Sequence, residues 1–288
     1  VPDFKKGDIV TRKSYNCDLY FQIVDFLPGR NGNDRVLLKG LDVRLCADCP
    51  VTDLQKVTRS QLKEYRKKFI LRNNELLSRI YKKRSSLRPH LLRTAEADKA
   101  NFFEIPGKVL HVDGNEDYLR LCEAMYSQLG LEAKGAHVPE QEQPKKIVGL
   151  LQEYQPDVLV LTGHDGFIKE KKDFRSLNSY RNSKYFVEAV KLARKFRPNK
   201  DDLIIVAGAC QSHYEALLRA GANFASSPKR VFIHAFDPVF IVEKICFTSA
   251  SQTVSINDVI DNTLTGINGL GGIETRGKHR WGFPKSPY

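Results

Sequence analysis

The chain has 288 residues, 41% of them hydrophobic and 28% charged, enough to bury a core in one large domain or two unequal ones. No apolar run reaches the roughly 18 to 20 residues that cross a bilayer, and Val1-Pro2-Asp3-Phe4-Lys5-Lys6 lacks the apolar stretch of a signal peptide, so an intracellular protein without a membrane partner is expected. The formal charge of +12 is concentrated, with thirteen Lys/Arg against two Glu between Lys56 and Arg93.

Residues 1–58 predict a small β unit. Its strands are Gly7 to Arg12, Tyr20 to Phe26 and Arg35 to Arg44, with the turn cluster Pro28-Gly29-Arg30-Asn31-Gly32-Asn33-Asp34 between the second and third. A Lys-Gly-Asp-Ile-Val opening followed by meandering strands resembles an SH3-like barrel, which implies an accessory or substrate-docking module. Cys46-Ala-Asp-Cys49 is the one close cysteine pair; only Cys17 lies nearby and no histidine precedes His90, so the ligands of a zinc site are missing and neither metal nor cofactor is expected. With Cys122, Cys210 and Cys246 spread along the chain, reduced thiols are the simplest reading.

In residues 59–104, Leu62, Tyr65, Phe69, Leu76 and Ile80 fall at helical spacing among lysines and arginines, predicting a basic amphipathic helix to about Arg84. Ser85-Ser86-Leu87-Arg88-Pro89-His90 reads as its end, and the polar run up to Asn101 as an exposed linker. Such a segment attracts polyanions, but a solvated helix face is the preferred reading, and nucleic acid is not expected as a partner.

Residues 105–288 alternate strands and helices. Lys108 to Gly114 and Glu132 to Val138 read as strands, Glu116 to Leu129 and Gln143 to Tyr154 as helices. Two continuous apolar runs follow, Val158-Leu159-Val160-Leu161 and Leu203-Ile204-Ile205-Val206, of the kind buried on both faces of a parallel sheet. The fold class is therefore α/β, a mostly parallel sheet flanked by helices, with its active site at the carboxyl ends of the strands.

Each apolar run ends in a reactive residue among small ones: Thr162-Gly163-His164-Asp165-Gly166 after the first, Ala207-Gly208-Ala209-Cys210-Gln211-Ser212 after the second. On adjacent parallel strands both side chains emerge at one sheet edge, where a thiol can attack a carbonyl and an imidazole can move protons. Gln211 to Ala220 predicts a helix, which would put Cys210 at its N-terminus and favour the thiolate. His213 reads as structural or helix-end, close enough to be a rival base, Cys246 reads as core, and His111, His137, His234 and Cys122 as packing or surface residues. Val231 to Phe236 reads as the next strand.

An apolar block ending in His, then one ending in Ala-Cys some 50 residues later, is similar to the pattern of the caspase/clostripain/gingipain/legumain group of cysteine peptidases. With the SH3-like start, the basic helix, Gly163-His164-Asp165-Gly166 and Ala207-Gly208-Ala209-Cys210-Gln211-Ser212-His213, the chain resembles the sporulation-specific YabG-type peptidases over nearly its full length. The resemblance implies a caspase-like domain with Cys210 as nucleophile and His164 as acid/base, one oxyanion N–H from Cys210 and another from the Asp165-Gly166 turn. It also implies a mother-cell enzyme, cytoplasmic or at the forming spore coat, that trims spore-coat and germination proteins after arginine.

The match departs from the group in two places. Asp165 separates His164 from Gly166 where the group has His-Gly, and Gly208 stands where clostripain-like enzymes place an acid. Arginine specificity requires a carboxylate, for which Asp237 and Asp165 are the candidates. If the enzyme cuts after arginine, Arg84 in Lys82-Lys83-Arg84-Ser85-Ser86 is a candidate self-cleavage site. Two other classes compete: a cysteine-dependent amidohydrolase or amidotransferase, and a non-enzymatic polyanion-binding coat protein.

Overall fold

The computed structural model describes residues 4–28, 34–92, 103–168 and 170–286. The chain divides into two compact units, residues 1–83 and 84–288.

The first unit is built on a five-stranded antiparallel sheet: β1 (Ile9–Arg12), β2 (Tyr20–Leu27), β3 (Arg35–Gly40), β4 (Cys46–Pro50) and β5 (Leu54–Lys56), in the order β4-β3-β2-β1-β5. Alternate residues make its core, Phe21 and Ile23 on β2, Val36 and Leu38 on β3, because a strand turns every second side chain to the same face. Among the described residues no pairing joins the edge strands β4 and β5, so no closed barrel is seen there. Asp53 ties its ends together, accepting from Arg12 Nε at 2.8 Å and from Ser14 N at 2.9 Å.

Helix α1 (Arg59–Leu92) starts at a reciprocal cap: Gln61 N donates to Thr58 Oγ1 at 3.2 Å while Thr58 N donates to Gln61 Oε1 at 2.9 Å. Tyr65 stacks on Tyr20 of β2 with ring centroids 4.1 Å apart. The expected stop at residues 85–90 is not there; the helix runs through Pro89. Proline removes one backbone donor, which weakens a helix without forbidding its continuation. The expected linker beyond it, 93–102, lies outside the described residues. No described helix is long and apolar enough to cross a membrane.

The second unit is a six-stranded sheet. Its strands are β7 (Val109–Asp113), β8 (Ala133–His137), β9 (Val158–Thr162), β10 (Ile204–Ala207), β11 (Phe224–Ser226) and β13 (Leu270–Gly272), while β6 (Phe103–Ile105) and β12 (Thr253–Val254) belong to separate two-stranded pairs. The order is β13-β11-β10-β9-β7-β8, parallel throughout except for β13. Leu110, Val112, Leu159, Leu161, Ile205 and Ala207 point to one face, where they pack with α3 (Gln143–Tyr154), α4 (Ser183–Phe196) and α5 (Tyr214–Ala220). On the other face His111 meets Tyr126 of α2 (Glu116–Gln128), with Nδ1 3.1 Å from the hydroxyl. Cover on both faces is why β9 and β10 are continuously apolar. The chain adds β8 on one side of β7 and then returns to place β9 on the other, so the carboxyl ends of β7 and β9 form a topological switch point.

Two local expectations fail. The helix after Cys210 begins only at Tyr214: Gln211 has a left-handed φ of +56° and His213 is the N-cap, so Cys210 does not sit at a helix N-terminus. Residues 231–236 are not a sheet strand either. Their backbone groups are used by the loop that carries Cys210, with Gln211 N donating to Val231 O at 3.2 Å and Ile233 N to Cys210 Sγ at 3.2 Å.

Candidate active site

β9 and β10 are hydrogen-bonded neighbours with Leu161 opposite Ala207, and His164 and Cys210 follow them by two and three residues. Both reactive groups therefore leave the same edge of the sheet, from adjacent strands.

His164 is held by polar groups from three segments. Its N–H donates to Glu140 Oε1 at 2.6 Å, and its carbonyl accepts from Asn182 Nδ2 at 2.8 Å. Asn115 Nδ2 lies 3.1 Å from its Nε2. Asn115 is the N-cap of α2, where its Oδ1 accepts from Tyr118 N at 3.1 Å. That cap fixes which end of the amide faces the ring. The NH2 group can only donate, so Nε2 accepts and the proton of a neutral imidazole is assigned to Nδ1. Tyr118 packs against the ring edge-on, centroids 5.8 Å apart.

Cys210 is fully buried; its sulfur accepts the Ile233 N–H at 3.2 Å, and its thiol faces Ile233 O at 3.9 Å. The loop that carries it is tight. Ala209 N donates to Ser212 Oγ at 2.9 Å, and Gln211 N also donates to Ser227 Oγ at 3.1 Å. Gly208 has φ +108°, and a Cβ there would stand 2.9 Å from Leu217 Cδ1, so both conformation and space require glycine.

Asp165 joins the two loops. Its Oδ2 accepts from Ser212 Oγ at 2.8 Å and from Ser183 Oγ; its Oδ1 accepts from Gly166 N and Asn182 N, both at 2.8 Å. Burial raises the carboxyl above its ordinary pKa, against the lowering by these donors. Asp237, the first residue of α6 (Asp237–Cys246), is equally occupied. It accepts from Leu264 N at 2.7 Å, His234 N at 3.3 Å, Thr265 N at 3.4 Å and the Thr265 hydroxyl, and burial likewise raises its pKa. A carboxylate offers about four acceptor sites. Both acids named from the sequence for an arginine pocket have theirs filled within the chain, so the geometry makes them internal ties. The Gly166 N–H, one of the named oxyanion donors, is committed to Asp165.

Arg84 lies within α1. Its Nε pairs with Glu243 Oε1 at 2.7 Å, its Nη1 donates to Leu129 O at 2.8 Å, and its guanidinium lies 3.2 Å from the centre of the Phe247 ring. His213 is structural: its Nδ1 accepts from Ala216 N at 3.4 Å, and Nε2 lies 2.9 Å from Arg175 O. Cys246 is core, its thiol pushed far up by burial. All six cysteines are free thiols.

Asn115, Glu140 and Asn182 were not singled out from the sequence. The capping role of Asn115 before Glu116-Asp117 has a readable signal. Its contact with His164, across 49 residues, depends on the strand order.

The family profile described as YabG peptidase U57 matches residues 5–284. The sporulation-specific protease YabG of Bacillus subtilis (strain 168) is 46% identical over 284 residues, covering 98% of each chain.

Proposed function

The chain belongs to the YabG peptidase U57 family and is a peptidase, and on that premise we propose that it is a cysteine endopeptidase working through Cys210 and His164. The observation that carries the reading is the exit of both residues from the carboxyl ends of the adjacent strands β9 and β10.

The Cys210 thiolate attacks the scissile carbonyl, forming a C–S bond as the carbonyl oxygen takes the negative charge. The protonated His164 then gives its proton to the leaving amine, and the thioester that remains is hydrolysed by water activated by the same imidazole. Nδ1 is the nitrogen we assign to this transfer; for the ring to hold its second proton the Asn115 amide must withdraw from Nε2. The Cys210 N–H is one oxyanion donor; since Gly166 N is committed to Asp165, the Asp165 N–H is the second.

The relative's name supports a role in sporulation. Proteins of the spore coat and of germination, cut after arginine in the mother cell, are the substrates that the family resemblance implies, and SH3-like docking and self-processing belong to the same reading. A peptide-library assay of native, Cys210→Ala and His164→Ala protein tests it. Cleavage after arginine that disappears in both variants is expected; full activity in Cys210→Ala would reject a cysteine mechanism.

A further inference from the structure

Glu140 stands in the turn between β8 and α3, and its carboxylate reaches into the switch point between β7 and β9. The recess is made by missing side chains. A Cβ on Gly114 would fall 2.2 Å from Glu140 Oε1, and one on Gly163 would fall 2.3 Å from the same atom. At both glycines the three nearest atoms all belong to Glu140. The residue after β7 and the residue after β9 thus both lack side chains where this one carboxylate enters. Inside the recess Oε1 accepts the His164 N–H at 2.6 Å. Holding a long glutamate in one rotamer costs conformational entropy, so a site walled on two sides for it marks a placed group.

We propose that Glu140 is a positioning residue for His164. It sets the backbone of the histidine, while Asn182 holds the carbonyl and Asn115 orients the ring. The inference rests on the Cys210/His164 reading. Displacing a catalytic group by about 1 Å costs on the order of a hundredfold in rate, so loss of the anchor should lower kcat with little effect on KM.

The test uses the full chain and a fluorogenic peptide chosen from a library for cleavage by the native protein, with thermal unfolding to confirm folding. Glu140→Ala should lower kcat about 10- to 100-fold with KM within about threefold. Glu140→Gln, which keeps an oxygen for the His164 N–H, should restore activity to within about threefold of native. Gly114→Ala should lower kcat by pushing the carboxylate aside. In the Glu140→Ala background, where the recess is empty, the same Gly114→Ala change should add nothing. The inference is overturned if Glu140→Ala retains native kcat while His164→Ala is inactive, if Glu140→Gln is as impaired as Glu140→Ala, or if only KM changes. Activity surviving in His164→Ala or Cys210→Ala would overturn the dyad itself, a separate result.

Discussion

Ser212 Oγ donates to Asp165 Oδ2 at 2.8 Å, and this bond fastens the loop of Cys210 to the loop of His164. The same hydroxyl accepts the Ala209 N–H and so closes the turn around the cysteine. At the other end, Asp165 gathers Ser183, Asn182 and Gly166, which docks the start of α4 on the pair. The two reactive loops are thereby one hydrogen-bonded body. The proposed Cys210/His164 dyad, built on separate loops, needs such a coupling to hold its distance constant.

Removing the hydroxyl should therefore cost both stability and rate. Ser212→Ala leaves the buried Ala209 N–H without its acceptor and Asp165 short of a donor, worth about 1–3 kcal/mol for an unsatisfied buried group. Urea unfolding should show that loss as a lower midpoint, and kcat should fall about tenfold or more with KM nearly unchanged. A variant with native midpoint and native kcat would show that the two loops are held without this bond.

Asp165 also makes a prediction about pH. Its pKa is raised in the folded protein, so the folded state binds the proton more tightly than the unfolded state does. The contribution of this group to stability is complete below the ordinary value of 3.8 and is lost as pH rises through the folded value. In Asp165→Asn that term is absent at every pH. The destabilisation caused by the substitution should accordingly be larger at about pH 3 than at pH 7, measured as the difference in unfolding free energy from native protein. A cost that grows toward neutral pH would show that the donors around Asp165 outweigh its burial.

The central strands were legible because burial on both faces writes itself as unbroken apolar runs, and the edge they share follows from parallel topology alone. The region after Cys210 was not. Gln211-Ser212-His213 has ordinary helix-compatible composition, but its hydrogen bonds go to Ser227, Val231, Asp165 and Ser183, partners 16 to 47 residues away. Those long-range bonds override local propensity and delay the helix to Tyr214. Val231 to Phe236 failed for the same reason, its strand-like composition serving the cysteine loop. Glu140 was invisible because its meaning lies in two glycines from other segments, and an acid in a turn has no signature of its own.

Asn115 should control the chemistry of the histidine. Asn115→Ala loses the α2 N-cap, about 1 kcal/mol, and releases Nε2, so kcat should fall about tenfold or more at unchanged KM. Asn115→Asp keeps the cap but presents a carboxylate to the ring. Negative charge there favours the imidazolium, so the alkaline limb of kcat/KM should move to higher pH. An unmoved limb together with full activity in Asn115→Ala would show that the amide only caps the helix.

Arg84, the proposed self-cleavage site, presents the opposite situation, an arginine held inside a helix. Its peptide bond lies in a helix, and its side chain is paired with a Glu243 side chain that is only 5% exposed. Glu243→Ala takes one carboxylate away from the largely buried Arg84 guanidinium, a loss of up to about 3 kcal/mol. The last turns of α1 should then open more often. In active protein carrying Glu243→Ala, a new N-terminus at Ser85 should accumulate faster than in the native chain, and none should form when Cys210→Ala is added. Sequencing of N-termini over a time course provides the measurement. Equal rates with and without Glu243 would mean that the ion pair does not guard the bond, and a Ser85 terminus in the Cys210→Ala protein would assign the cut to another protease.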